Sequence, residues 1–189
     1  MTTTRDFGLL ALRLGIGGTL VAHGTQKLFG WFGGAGLEKT AAGFEHTGFR
    51  PGKVNAIAAG LGQAGGGALL AAGIGSPGAG AAIAGNMIVA SSTKIENGFF
   101  SDNGGFEFPA VLGLSAAALA LTGPGTLSID HVLGHRLNQP WMRSLALAAV
   151  VPAAFAVIAR RRRAVAGAAE DISTPAEPAA VAQTTGQSA

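Results

Sequence analysis

Residues 7–28 read FGLLALRLGIGGTLVAHGTQKL, an apolar run with one arginine near its start and a histidine and a lysine near its end. At about 1.5 Å per residue a helix of this length rises roughly 33 Å. That is enough to cross a hydrocarbon layer roughly 30 Å thick. Four further apolar stretches follow, at 54–74, 79–93, 109–121 and 145–159. The third and fourth are short for a crossing, and the fifth carries Pro152 in its middle. Glycines within these runs do not count against helix, because the bilayer leaves a backbone no partner except itself.

Composition agrees with lipid as the solvent. Of 189 residues 48% are hydrophobic and 12% charged, against about 25% charged in an ordinary soluble domain. A chain this short cannot bury five apolar runs in a core of its own and still cover them with polar surface. The expected fold is therefore an all-α integral membrane bundle of four helices with a fifth, C-terminal spanning helix. The sequence contains no cysteine, which removes disulfides, thiolate metal sites and dithiol redox chemistry from the chain itself. A net charge of +3 does not point to nucleic acid, because four cations form one block, Arg160 to Arg163, directly after the last apolar run. Such a block marks the cytoplasmic side of a membrane protein. The first run lacks a basic leader and contains Arg13, so it reads as a retained helix and not a signal peptide.

The connectors divide the chain further. The first, 30–53, is long and aromatic, suited to the interface. GSPG at 75–78 predicts a tight turn and an antiparallel pair of spans. The segment after Gly123 is polar enough to lie outside the hydrocarbon. Beyond Arg163 the composition turns to Ala, Pro, Thr, Gln and Glu, which predicts a disordered tail. The expected organisation is a bundle over 1–130, a connector with the extra helix over 131–163, and a tail over 164–189. With five crossings and a cytoplasmic C-terminus, nine cations (Lys27, Lys39, Arg50, Lys53, Lys94 and the arginine block) lie inside. Three lie outside, Arg5, Arg136 and Arg143, so the N-terminus is expected outside.

Polar residues inside apolar runs are the candidate functional groups, because ions in a membrane are rare and usually have a role. Arg13 is too deep to reach water easily along its own stem and predicts an acidic partner in the bundle. His23 and Lys27, at i and i+4, share a helix face flanked by Gln26; as an ordinary helix end they would meet the last carbonyls and the dipole. Gln63 and Asn86 interrupt the second and third runs, and the third connector offers Lys94, Asn97 and Glu107. In a bundle of alternating direction, the end of the first run, the end of the third and the start of the fourth meet at one membrane face. That predicts His23, Lys27, Asn97 and Glu107 as neighbours, with the imidazole as proton handler. Gly62 and Gly66, at GxxxG spacing, predict tight helix association and allow a homo-oligomer. No metal site is expected: His131 and His135 stand at i, i+4 but lack the carboxylates a zinc helix needs. No glycine-rich segment has the context of a phosphate loop.

RLGIGGTLVAHGTQKLFGWFGG at 13–34, GFRPG at 48–52, NGFF at 97–100, GGFEFP at 104–109 and GPGTLSID at 123–130 together resemble the DoxX family of small bacterial membrane proteins. The resemblance covers 7–130 and implies a four-helix membrane core, associated with quinone-linked oxidoreductases or with thiol and superoxide defence. Carried over position by position, it falls on Arg13, His23, Gln26, Lys27, Asn97, Glu107 and Asp130. Family members often carry Glu at the position of Gln63 and His at that of Lys94. The resemblance implies a multi-pass protein of a bacterial cytoplasmic membrane, partnered by the lipid bilayer and by soluble redox enzymes. In that reading a quinone lies under Trp31 and Phe32 and accepts hydrogen bonds from His23 and Lys27. Two other readings are a scaffold without chemistry, whose glycine seams and tail recruit soluble enzymes, and a small transporter lined by Arg, His and Asn. No inverted repeat is visible to favour the transporter.

Overall fold

The computed structural model describes residues 2–173, with side chains through residue 170. The described residues are helical, without strands: α1 Thr4–Phe29, α2 Gly36–His46, α3 Gly52–Ala72, α4 Ser76–Ser92, α5 Glu107–Thr122, α6 Ile129–Val132 and α7 Pro140–Ser173. Three of them, α1, α3 and α7, are long and apolar enough to cross a membrane. The helices α4 and α5 have 17 and 16 residues, about 25 Å of rise, and pack between the longer ones.

Small residues explain how the helices come together, since lipid supplies no hydrophobic drive between them. A methyl group added at Gly17 would lie 2.5 Å from the carbonyl oxygen of Gly67, and one at Gly24 would lie 2.6 Å from that of Gly60. These pairs run in opposite order, so α1 and α3 are antiparallel with their backbones nearly touching. Gly80 meets Ala116 and Ala120, and Gly113 meets Met87, which gives α4 and α5 a second antiparallel seam. Gly62 and Gly66 face Asn86 and Ile83 of α4, so the GxxxG pair serves packing inside the chain. Leu20, Leu70, Ile83 and Ala116 fill the centre. Leu14, Leu61, Leu114 and Phe155 point outward and are more than half exposed, as a lipid-facing surface requires.

Four sequence expectations shift. GSPG is not the turn: Ser76 and Pro77 already begin α4, and the reversal is Gly73–Ile74–Gly75 with both glycines in the left-handed region. Proline at a first helical position loses no intrahelical bond. The fifth run is longer than its apolar stretch, because α7 passes through Pro152. Order does not end at Arg163 either. The Ala-rich segment that follows continues α7 to Ser173, helped by alanine's helix propensity. Residues 174–189 of the expected tail lie outside the described residues. The first connector, finally, holds a helix, α2, which packs beside α3 through Ala41 and Gly52.

Two polar ends result. At one, Asp6 accepts from the Thr126 amide (2.8 Å) and Asp130 accepts from the amides of Gly75 (3.0 Å) and Ser76 (3.4 Å). At the other, α7 returns to the first connector, where the Arg161 Nε donates to the Thr47 carbonyl (2.8 Å) and its guanidinium stacks over Phe49 at 5.5 Å.

Candidate functional site

A cavity of about 750 Å³, partly open, lies between α1, α3, α4 and α7 on the side nearer the arginine block. Its walls are apolar: Leu20, Met87, Leu112, Val150, Ala154 and Val157. Phe44 and Phe49 of the first connector, and Phe108 of α5, close the end. Polar groups project into this space from three helices and the segment after α4: His23 and Lys27 from α1, Gln63 from α3, Asn86 from α4, and Lys94. Their presentation follows from the seams. With Gly24 held against α3, His23 and Lys27 turn to one side of the contact and share the cavity face.

The polar groups are sparsely partnered. The Lys27 Nζ donates one long bond to the His23 carbonyl (3.4 Å), and the Lys94 Nζ donates one to the Gly104 carbonyl (3.3 Å). The His23 ring tilts against Phe108 with centroids 5.3 Å apart. The Gln63 Nε2 donates to the Asn86 Oδ1 (3.3 Å), while its Oε1 is buried without a partner. Gln63 as a whole is 7% exposed. A buried amide oxygen lacking a hydrogen bond costs about 1–3 kcal/mol. Amide ends are interchangeable in a hydrogen-bond network. Either orientation of the pair leaves a buried amide atom of Gln63 unpaired.

The structure thus brings together His23, Lys27, Gln63, Asn86 and Lys94, and adds Phe108. The other sequence-selected residues stand elsewhere. Asn97 is exposed and donates to the Gly104 carbonyl (3.2 Å), and the Glu107 carboxylate accepts from the Ser101 amide (3.0 Å). Both shape the loop 93–106 beside the cavity without lining it. Gln26 donates to the Phe32 carbonyl (3.4 Å) and fixes the turn after α1. Trp31 is 57% exposed and packs on Phe29, so the aromatic cover of the cavity comes from Phe44, Phe49 and Phe108 in its place.

Arg13 belongs to the opposite end. It is 1% exposed, donates to the Leu127 carbonyl, and sits in the electrostatic reach of the fully buried Asp130. Its Nε and Nη1 have no hydrogen-bond partner. The expected acidic partner is Asp130, acting at longer range than a direct ion pair. His131 of α6 and His135 of the turn after it meet with ring nitrogens 3.0 Å apart, outside the cavity lining.

The sequence profile of the DoxX family matches residues 8–94. Over those residues the chain is similar to the DoxX family. The match takes in α1 through α4 and stops at Lys94, short of the 7–130 that the quoted motifs suggest, so NGFF, GGFEFP and GPGTLSID lie beyond it. Comparison with curated proteins and with solved structures returns no match. Within the matched residues fall His23, Lys27, Gln63, Asn86 and Lys94. Phe108 and the α7 wall are supplied by the rest of the chain. Gln63 and Lys94 both line the cavity.

Proposed function

We propose that this DoxX-domain membrane protein is the ligand-holding subunit of a redox or redox-stress system, with a quinone-like molecule as the ligand. The observation that carries the reading is an apolar cavity that presents the donor groups of His23 and Lys27, with the Gln63–Asn86 amide pair in the same lining. A quinone ring needs a greasy slot and polar groups at its oxygens. His23 and Lys27 supply donors at one end, and the Gln63–Asn86 pair supplies polar capacity deeper in. A bound quinone contributes electron and proton carriage between a soluble enzyme and the membrane pool. The protein's own residues bind the ring, orient it, and exclude water with Phe108 and the α7 wall. The setting is a bacterial cytoplasmic membrane crossed five times, with the arginine block facing the cytoplasm.

The test is purification of the full chain in a mild non-ionic detergent, followed by extraction and identification of bound quinones. Ubiquinone or menaquinone at near one equivalent, lost in His23→Ala and Gln63→Ala, is the expected result. Quinone-free protein, together with a cellular redox phenotype insensitive to both changes, overturns the proposal in favour of the scaffold reading. In that case substitutions at Gly62 or Gly66 carry the phenotype instead.

A further inference from the structure

The cavity is charged in one sense only. Lys27 and Lys94 line it, and its lining contains neither aspartate nor glutamate. Arg50 pairs with Glu45 and Lys53 with Glu38; neither pair involves a cavity lysine. Each cavity ammonium has three donors and one long bond to a backbone carbonyl. Glu96 and Asp102, the acids that follow Lys94 most closely in sequence, are exposed and outside the lining, and Glu107 is engaged by the Ser101 amide and does not face the cavity. Cations held beside apolar walls without a counter-charge are costly, and a carboxylate on the protein would be the ordinary remedy. Here the remedy is missing from the protein side.

We infer that the cavity's ligand carries a negative charge at its polar end, so that Lys27 and Lys94 receive their counter-ion from the ligand. The occupant is an amphiphilic anion: an acidic head at the lysine-lined end and an apolar body against Leu20, Met87, Val150 and Ala154. Within the quinone reading, on which this inference rests for its ring chemistry, the form held most tightly is a negatively charged one, for which an ionised hydroxyquinone is the stable stand-in. The same head chemistry occurs on a fatty carboxylate, so the two sources have to be separated by experiment.

The experiment measures binding to the full chain in non-ionic detergent for two matched pairs. One is 2-hydroxy-1,4-naphthoquinone, ionised at neutral pH, with its neutral 2-methoxy analogue. The other is laurate with dodecanol. The expected result is that the ionised naphthoquinone binds at least about tenfold tighter than its neutral analogue. Lys27→Gln with Lys94→Gln together erase the preference, Lys27→Arg retains it, and Arg136→Gln at the opposite end leaves it unchanged. Equal binding of the neutral and ionised quinones overturns the inference while the quinone reading stands. Preference for laurate over dodecanol with no quinone binding supports the anionic site and removes the quinone. Binding of none of the four, in protein that gives a normal unfolding transition, overturns both.

Discussion

Arg13 and Asp130 stand 117 positions apart in the chain and share one buried corner. Asp130 holds the α3–α4 reversal through the Gly75 and Ser76 amides, and its charge offsets the cation of Arg13. Removing one member of a buried charged pair strands the other, at a cost of about 3–5 kcal/mol, whereas removing both is far milder. Asp130→Ala is therefore expected to lower the unfolding temperature sharply in detergent, and Arg13→Met combined with Asp130→Ala to recover part of the loss. A double variant no more stable than Asp130→Ala contradicts the pairing. That Arg13 needs an acid was legible in the sequence from its depth alone; which acid was not, since only the fold carries 123–130 back over the start of α1. The same limit applies to the aromatic cover. Trp31 follows α1 directly, yet Phe44, Phe49 and Phe108 reach the cavity because of the path of the connector and of loop 93–106. Glu107 looked free to meet Lys27 and is engaged by the Ser101 amide instead.

At the level of the helix pair, the glycines of α1 divide by face. Gly17 and Gly24 meet α3, whereas Gly8, Gly15 and Gly18 have nothing within 4 Å of an added methyl. Gly17→Leu and Gly24→Leu are expected to force α1 off α3 and to lower stability by at least about 1–3 kcal/mol, the usual range for overpacking. Gly15→Ala and Gly18→Ala should leave it unchanged or slightly raised, given alanine's better helix propensity. Thermal unfolding of the four variants in one detergent decides the matter; similar losses at all four positions contradict the seam. In the sequence, GxxxG at Gly62 and Gly66 stood out, but the tightest approach uses glycines seven apart, a spacing that periodicity does not separate from lipid-facing glycine. The existence of the long helices was plain from hydropathy. The length of α7 was hidden by Pro152, which breaks a soluble helix more readily than a packed membrane one.

Across the whole molecule, the termini of the long helices sort the charges. Arg5, Arg136 and Arg143 belong to the end built by Asp6, Thr126 and Asp130, while Arg50, Lys53, Lys94 and the arginine block belong to the end where Arg161 meets Thr47. The cysteine-free sequence makes this testable without background labelling. Cysteines placed singly at Thr2 and Arg136 are expected to react with an impermeant maleimide on intact cells. Those placed at Asp102 and Ala166 should react only after permeabilisation. Labelling of Asp102→Cys from outside, or of Thr2→Cys and Ala166→Cys from the same side, contradicts five crossings. The resemblance to the DoxX family predicted the bundle but not its last wall. That wall, Val150, Ala154 and Val157, comes from a helix outside the matched domain.

The glycine contacts of α1 with α3 fall at 17 and 24 on one helix and at 60 and 67 on the other. A single extra alanine after Thr19 would twist everything beyond it by about 100°. Gly24 would leave its groove, and the imidazole and ammonium would swing out among the acyl chains. An insertion of one whole heptad keeps the face within about 20° of its phase, yet it would move Lys27 about 10 Å along the axis. The hydrocarbon length of α1 and the chemistry of the cavity are thus fixed by one and the same register.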